Sequence, residues 1–356
     1  MQRVSGFRRP REAFRGLISS CFLRYLVVFG PWFRRFLTLL FLLSTSPRIE
    51  AGSPQLLSVQ KIWDQGSHNA FTDLIRFQNK WLCIFREGET HAGGDDGKIR
   101  VIESDDGDQW VSAALISEQG IDLRDPKLSV TPQGRLMMVA GGSLYEDNVY
   151  RTRAPRVAFS ADGLNWSQPQ RVLAEDHWLW RVTWYQDTAY SVSKLNDGKE
   201  PRRVMLYSSK DGLDWSWVTE FKGIPGWPNE ATLRVLLGGE MICLLRRNQT
   251  GSIGRSRPPY KTWTWTDTEY RLGGPNFIQT PNGELWAGSR DYSRDEVRTV
   301  LARMTPFSYE PVLTLPSGGD TSYPGLRWHE GQLWMSYYSS HEGKTSIYLA
   351  KIQMQR

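Results

Sequence analysis

The phrase Ser-x-Asp-Gly-x-x-Trp is written three times in this chain, at residues 104–110, 160–166 and 209–215, with first serines 56 and 49 residues apart. Self-similarity at such a period constrains a fold strongly, because each copy is one unit that buries its apolar face only against the next. A looser refrain runs alongside it: an apolar strand, a tight turn, a second apolar strand. It reads DLIRFQNKWLCIFRE, KLSVTPQGRLMMVAG, RVTWYQDTAYSVSK, TLRVLLGGEMICLLRR, NFIQTPNGELWAGSR and GLRWHEGQLWMSYYS. Its turns, among them Pro-Gln-Gly, Gly-Gly and Pro-Asn-Gly, have hairpin chemistry. Six such copies with no sustained helical period predict an all-β chain folded as a six-bladed β-propeller.

Counting strands predicts how the ring closes. Earlier blades have room for four strands, but after residues 345–352 (TSIYLAKI) the chain stops with three in blade six. The strand-like segment LLSVQKIW at residues 56–63 precedes blade one and resembles QPQRVL, the outer segment of blade two. The N-terminal segment is therefore expected to supply the missing strand of blade six, which removes an open edge. The repeated phrase falls between third and fourth strands. Its Ser and Asp accept turn amides, its Gly permits positive φ and its Trp packs between sheets. It announces architecture and does no catalysis.

The formal charge of +6 first suggests an acidic partner. Residues 1–51, however, hold nine Arg and no Lys against Glu12 and Glu50, and so carry +7; the rest has 35 basic and 36 acidic residues. The body gives no argument for nucleic acid. The basic stretch reads as a leader: Arg34 and Arg35 precede an apolar run at residues 36–46, and Ala51 offers a small residue for cleavage. This organisation is residues 1–51 as signal peptide or membrane-targeting leader and residues 52–356 as the propeller. The apolar run is too short to span a bilayer. The segment before it is long for a signal, so either translation starts downstream or the stretch CFLRYLVVFG helps to anchor the chain. The expected location is secreted or periplasmic, as a monomer, with membrane contact only through an uncleaved leader. Beyond Cys21 the chain has Cys83 and Cys243, which the register puts on opposite sides of the ring as free thiols.

Strand order places the chemistry. First-strand starts and second-strand ends ring one mouth of a propeller. The starts read Thr72, Asp125, Arg181, Glu230, Asn276 and Tyr323; the ends read Arg86, Gly141, Lys194, Arg246, Arg290 and Tyr338. Such a crowd of charged and aromatic groups marks this mouth as the site, and the hairpin turns on the other rim look bland beside it. The five histidines show no ligand spacing, and there is no Gly-x-Ser-x-Gly or phosphate-binding loop. No metal and no cofactor are expected.

These residues resemble the sialidases (neuraminidases). The turn phrase is similar to their Asp-box, one residue shorter. PNEATLRVLLGGEMICLLRR resembles the blade-four segment in which Asn-Glu opens a strand and an Arg follows the hairpin, matched by Glu230 and Arg246. GGDTSYPGL places Tyr323 where sialidases carry a tyrosine nucleophile, and RTVLARM resembles their Arg-led third strand, nominating Arg298. The resemblance covers roughly residues 71–352 and implies an exo-glycosidase acting on a terminal acidic sugar of a glycan or glycoconjugate. Glu230 would take the Tyr323 proton, which a phenol of pKa about 10 requires near neutrality. Arg246, Arg298, Arg290, Arg86 and Arg181 are candidates to hold an anionic group through bidentate bonds. Asp95 and Asp96, in the glycine-rich loop after Arg86, are candidates for the acid. The sialidase arginine of blade one is missing: FTDL has Thr72 at that position, and Arg86, Arg181 or Arg124 would have to stand in. A glycosidase for another acidic sugar, or a non-catalytic glycan-binding propeller, are the rival readings.

Overall fold

The computed structural model describes residues 53–93, 97–199, 202–293 and 296–354. The leader, Asp95 and Asp96 lie outside the described residues.

The chain forms six antiparallel sheets whose innermost strands pack on one another in sequence order and close a ring. Blade one consists of His68–Phe77, Lys80–Gly88, Lys98–Ser104 and Val111–Ile116. Blades two, four and five repeat that plan, starting from Asp122–Val130, Ala231–Val235 and Asn276–Gln279. In blade three the inner strand is split into His177–Leu179 and Thr183–Tyr185, both paired with Thr188–Leu195. Blade six is built from Thr321–His329, Gln332–Ser339 and Ser346–Gln353, and Gln55–Trp63 completes it. The added strand pairs antiparallel with Ser346–Gln353 from Gln55 opposite Gln353 to Trp63 opposite Ile347. The expected six-bladed ring, closed by an N-terminal strand, is the observed fold.

The repeated turns do more than reverse the chain. Ser104, Ser160 and Ser209 each accept the N–H of Gly107, Gly163 and Gly212 at 2.8 Å. The aspartate Oδ1 of each turn accepts the amides two and three residues on. Each Trp indole donates to its glycine carbonyl. The glycines have φ of 80°, 83° and 82°, and they are also contact points. A Cβ on Gly107 would lie 2.2 Å from Trp334, and those on Gly163 and Gly212 would lie 2.9 Å from Leu82 and Met137. All three neighbours sit on the second strand of the preceding blade, so the phrase seats one blade against the last. Blade four contains a related turn that the sequence hides: Tyr260 adopts φ 61° and its carbonyl accepts the Trp263 indole at 3.0 Å.

Cys83 and Cys243 lie on the second strands of blades one and four, buried and free, with burial pushing both thiols up.

Three inner strands carry the same irregularity. The register slips between Ala70 and Asp73, between Arg124 and Lys127, and between Ser322 and Gly325. Phe71, Asp125 and Tyr323 sit at these bulges with φ of 67°, 51° and 52°. Holding a non-glycine residue there costs roughly 1–3 kcal/mol. A bulge re-aims its side chain, and these three are aimed at the first mouth of the channel.

Candidate functional site at the first mouth

Tyr323 and Glu230 come from blades six and four, yet the phenol donates to Glu230 Oε1 at 2.8 Å. Arg246, which follows the hairpin of blade four, reaches both Glu230 oxygens at 3.0 Å and the Tyr323 hydroxyl at 3.2 Å. Burial alone would raise the Glu230 carboxyl, but Arg246, Lys194 and the Tyr323 hydroxyl outweigh it and bring the carboxyl down to about 2. Burial and the adjacent Glu230 charge push the Tyr323 phenol well above its ordinary value. The resting pair is thus a neutral phenol hydrogen-bonded to an ionised carboxylate, the state that a base-assisted phenol nucleophile needs. Aromatic rings hold the phenol in place: Phe71 lies 5.2 Å and Trp180 5.8 Å from the Tyr323 ring.

A second arginine stands beside the pair. Arg290 donates to Thr321 O at 2.7 Å and to the Tyr338 hydroxyl at 2.8 Å, and its guanidinium carbon lies 5.6 Å from the Tyr323 ring centre. Arg246 and Arg290 both reach the Tyr292 hydroxyl, at 3.5 and 3.3 Å. Across the mouth Arg124 stacks on Phe71 at 5.2 Å. Arg124 and Phe71, with His91, Asp125, Lys194, Glu230 and Tyr323, line a cavity of about 280 Å³. Asp125 is buried in it with Oδ1 unpartnered, and burial pushes its carboxyl up.

The loop between the second and third strands of blade one contributes His91. Its Nδ1 lies 2.6 Å from Asp320 Oδ2, and His68 Nε2 lies 3.1 Å from the same oxygen. Asp320 Oδ1 accepts the Tyr338 hydroxyl at 2.8 Å. Burial would raise the Asp320 carboxyl, but hydrogen bonds from both histidines and from Tyr338 hold it far below the usual range. The three ligand-type atoms lie within 4.8 Å of one another, which a metal ion could bridge. The distances are nonetheless hydrogen-bond lengths to one oxygen, and Arg290, 3.5 Å from Asp320, adds positive charge on the other side. The group fits an oriented imidazole better than a cation.

Of the sequence-derived residues, Tyr323, Glu230, Arg246 and Arg290 converge. Arg86 does not join them: it is fully buried and its Nε is paired with Asp122 at 2.7 Å, in a contact between blades. Arg181 points the other way, paired with Asp73 at 2.6 Å. Its neighbour Trp180, in the break between the two pieces of the inner strand, packs on the Tyr323 ring instead. Thr72 is likewise buried, bonded to Tyr323 O and Ser336, while Phe71 takes the mouth position. Arg298 is occupied by the Ser317 carbonyl and the Glu296 carboxylate. Asp95 and Asp96 lie outside the described residues. His91, Asp320, Tyr292 and Phe71 were missed. The available signals were a histidine in the loop already singled out for its acids, and an acid three residues before Tyr323.

Comparison with solved structures gives this geometry a frame. The chain superposes with a TM-score of 0.74 on a Dyadobacter fermentans protein of unknown function, at 17% identity, over 85% of this chain and 99% of that one. The score is 0.63 for Trypanosoma rangeli sialidase in complex with the inhibitor DANA, at 13% identity over 84% of this chain. It is 0.64 for an α-L-arabinofuranosidase of Fusarium graminearum, at 13% identity over 85% and 98% of the two chains. This chain spans 58% of the length of the trypanosomal sialidase. No family model and no curated protein matches it. At these identities the likeness establishes the fold, a sialidase-like six-bladed β-propeller.

Proposed function

We propose that this protein is a retaining exo-glycosidase that removes a terminal anionic sugar from a glycan or glycoconjugate. The observation that carries the reading is the contact set of Tyr323, Glu230 and Arg246 at one mouth. In the first step the Tyr323 oxygen bonds to the anomeric carbon and its proton passes to Glu230. The bond to the leaving oxygen breaks with that electron pair, and the leaving oxygen takes a proton from the loop between the second and third strands of blade one. The aglycone must leave toward solvent, so the donor belongs at the entrance. There the half-exposed His91, oriented by Asp320, is a donor in the same loop as Asp95 and Asp96. Water, giving its proton to His91, then displaces Tyr323, which recovers its proton from Glu230. A neutral phenol avoids the repulsion that a carboxylate nucleophile would meet beside an anionic sugar. Arg246 and Arg290, with Tyr292 between them, receive the anionic group, and Arg124 opposite Phe71 fills the role of the missing blade-one arginine. Asp125, deeper in the cavity, is placed to accept a sugar hydroxyl. Sialic acid and other acidic sugars share this chemistry, and an export leader fits a substrate outside the cell.

The test is turnover of fluorogenic sialosides and uronides by the full chain, its Tyr323→Phe variant and its Glu230→Gln variant. We expect Tyr323→Phe to lose roughly a thousandfold or more in kcat with its melting temperature kept, and Glu230→Gln to lose less. Wild-type turnover by Tyr323→Phe would overturn the mechanism. A parent that binds these glycosides and turns over none would make the propeller a lectin-like module.

A further inference from the structure

The channel has a second mouth, at the hairpin ends of the inner strands, where the sequence looked bland. A cavity of about 540 Å³ opens there, walled by all six blades. Its charged lining is Asp73, Arg76, Arg181, Arg234 and Arg327. Asp73 is already engaged, by Arg181 Nη1 at 2.6 Å and by the Leu128 amide at 2.8 Å. Arg234 finds only neutral acceptors: Leu233 O at 2.6 Å, Asn276 Oδ1 at 3.0 Å and Thr183 Oγ1 at 3.2 Å. Arg76 lies 5.4 Å from the Trp81 ring centre. Among the described residues the Arg327 guanidinium makes no hydrogen bond and no contact ion pair.

Four guanidiniums around one carboxylate leave a surplus of positive charge, and like charges repel strongly where water is scarce. The strain registers on the groups themselves. Burial, then Arg181 and Arg327, push Arg234 down to about 9. Burial and Arg181 also lower Arg327, against the opposing pull of Asp73. Most of the unmet hydrogen-bonding groups of the lining are pure donors, the Ser129 hydroxyl being able to donate or accept. Arg181 Nε and the Trp184 indole nitrogen are buried donors without acceptors. The cavity therefore lacks acceptors and negative charge. Its volume greatly exceeds the roughly 30 Å³ that one water occupies.

We propose that this second mouth is an anion-binding site for a compact oxyanion bearing two or more charges, a phosphate or sulfate group, free or carried as an ester. Such a group accepts from several donors at once and matches the planar fork of each guanidinium. Chloride is an anion too, but it has a single charge and no set of oxygens to meet several donors. Lys127 lies between the two mouths, its ammonium bonded to the carbonyls of Phe71, Thr72 and Pro126. The second site is thus separate from the first and does not depend on the reaction proposed there.

The experiment is thermal unfolding of the full chain against inorganic sulfate and phosphate, with chloride at matched ionic strength. The parent should show a saturable rise in Tm with either oxyanion and not with chloride. Arg327→Gln removes one repelling charge, so without oxyanion it should melt at or above the parent temperature, and its apparent affinity should fall about tenfold or more. Should that variant fail to fold, Arg76→Gln, at the more open edge, carries the same expectation. Arg246→Gln, at the first mouth, should keep the parental response. The proposal is overturned by an equal response to chloride, by an unchanged response in Arg327→Gln, or by a response lost in Arg246→Gln. Galactose 6-sulfate distinguishes the sources. Binding at least tenfold tighter than inorganic sulfate assigns the site to an ester, and equal or weaker binding assigns it to the free ion.

Discussion

The two mouths of the channel are built from the same six inner strands, yet they treat charge in opposite ways. At the first, Arg246 and Arg290 are matched by Glu230 and Asp320, and the hydroxyls of Tyr292, Tyr323 and Tyr338 fill the gaps. At the second, one aspartate faces four arginines. The first has its charges and hydroxyls already paired with one another, the arrangement that the proposed reaction calls for. The second has the form of a receptor, its donors waiting for an acceptor. Counting arginines would not separate them; asking what each arginine already touches does.

The sharpest way to break this comparison uses an arginine that belongs to neither mouth. Arg86→Met leaves Asp122 buried without its cation, and losing one partner of such a pair costs about 3–5 kcal/mol. Chemical denaturation should show that loss while KM of the folded fraction holds; parental stability would return Arg86 to the list of ligands. Next comes the proton donor. His91→Ala should cost roughly a hundredfold or more on a natural glycoside and far less on a dinitrophenyl glycoside, whose leaving group needs no proton. An equal loss on both, or a leaving-group-dependent loss in Asp96→Asn instead, would move the role along the loop. Arg290→Lys should raise KM about tenfold with kcat nearly held, since an ammonium cannot reproduce a bidentate fork. A fall in kcat alone would show that Arg290 acts on the reaction rather than on capture. The smallest expected effect is none. Cys83 and Cys243 should titrate as two free thiols in unfolded, unreduced protein, and reductant should leave Tm unchanged. A disulfide between them would break the blade register on which both mouths rest.

Much of this was legible in the sequence because repeats are visible. Hairpin turns, the Ser-x-Asp-Gly-x-x-Trp phrase and the unpaired last blade led to the ring and its closing strand, and residues at matching strand ends led to Tyr323, Glu230, Arg246 and Arg290. The failures have a common physical origin. The bulge at Phe71 shifts alignment by one residue, and with a period of two that exchanges mouth for interior, while the inner strand of blade three is broken around Trp180. Thr72 and Arg181 were misplaced for those reasons. Arg86 could not be told from a ligand because its partner, Asp122, comes from the next blade. The pairing of His91 with Asp320 joins residues 229 positions apart and leaves no local trace. The second mouth likewise leaves no local trace because its four arginines come singly from four blades and gather only when the ring closes.

The closing strand also sets how the ring responds to force. Gln55 stands opposite Gln353, so the first residue of Gln55–Trp63 and the last of Ser346–Gln353 meet at the same end of one ladder. Tension applied between those two ends would load the rungs one after another, as in peeling a zip, rather than all together in shear. Blade six would open first and at low force, while the other five, with no chain end in their ladders, would stay shut until the seam had parted.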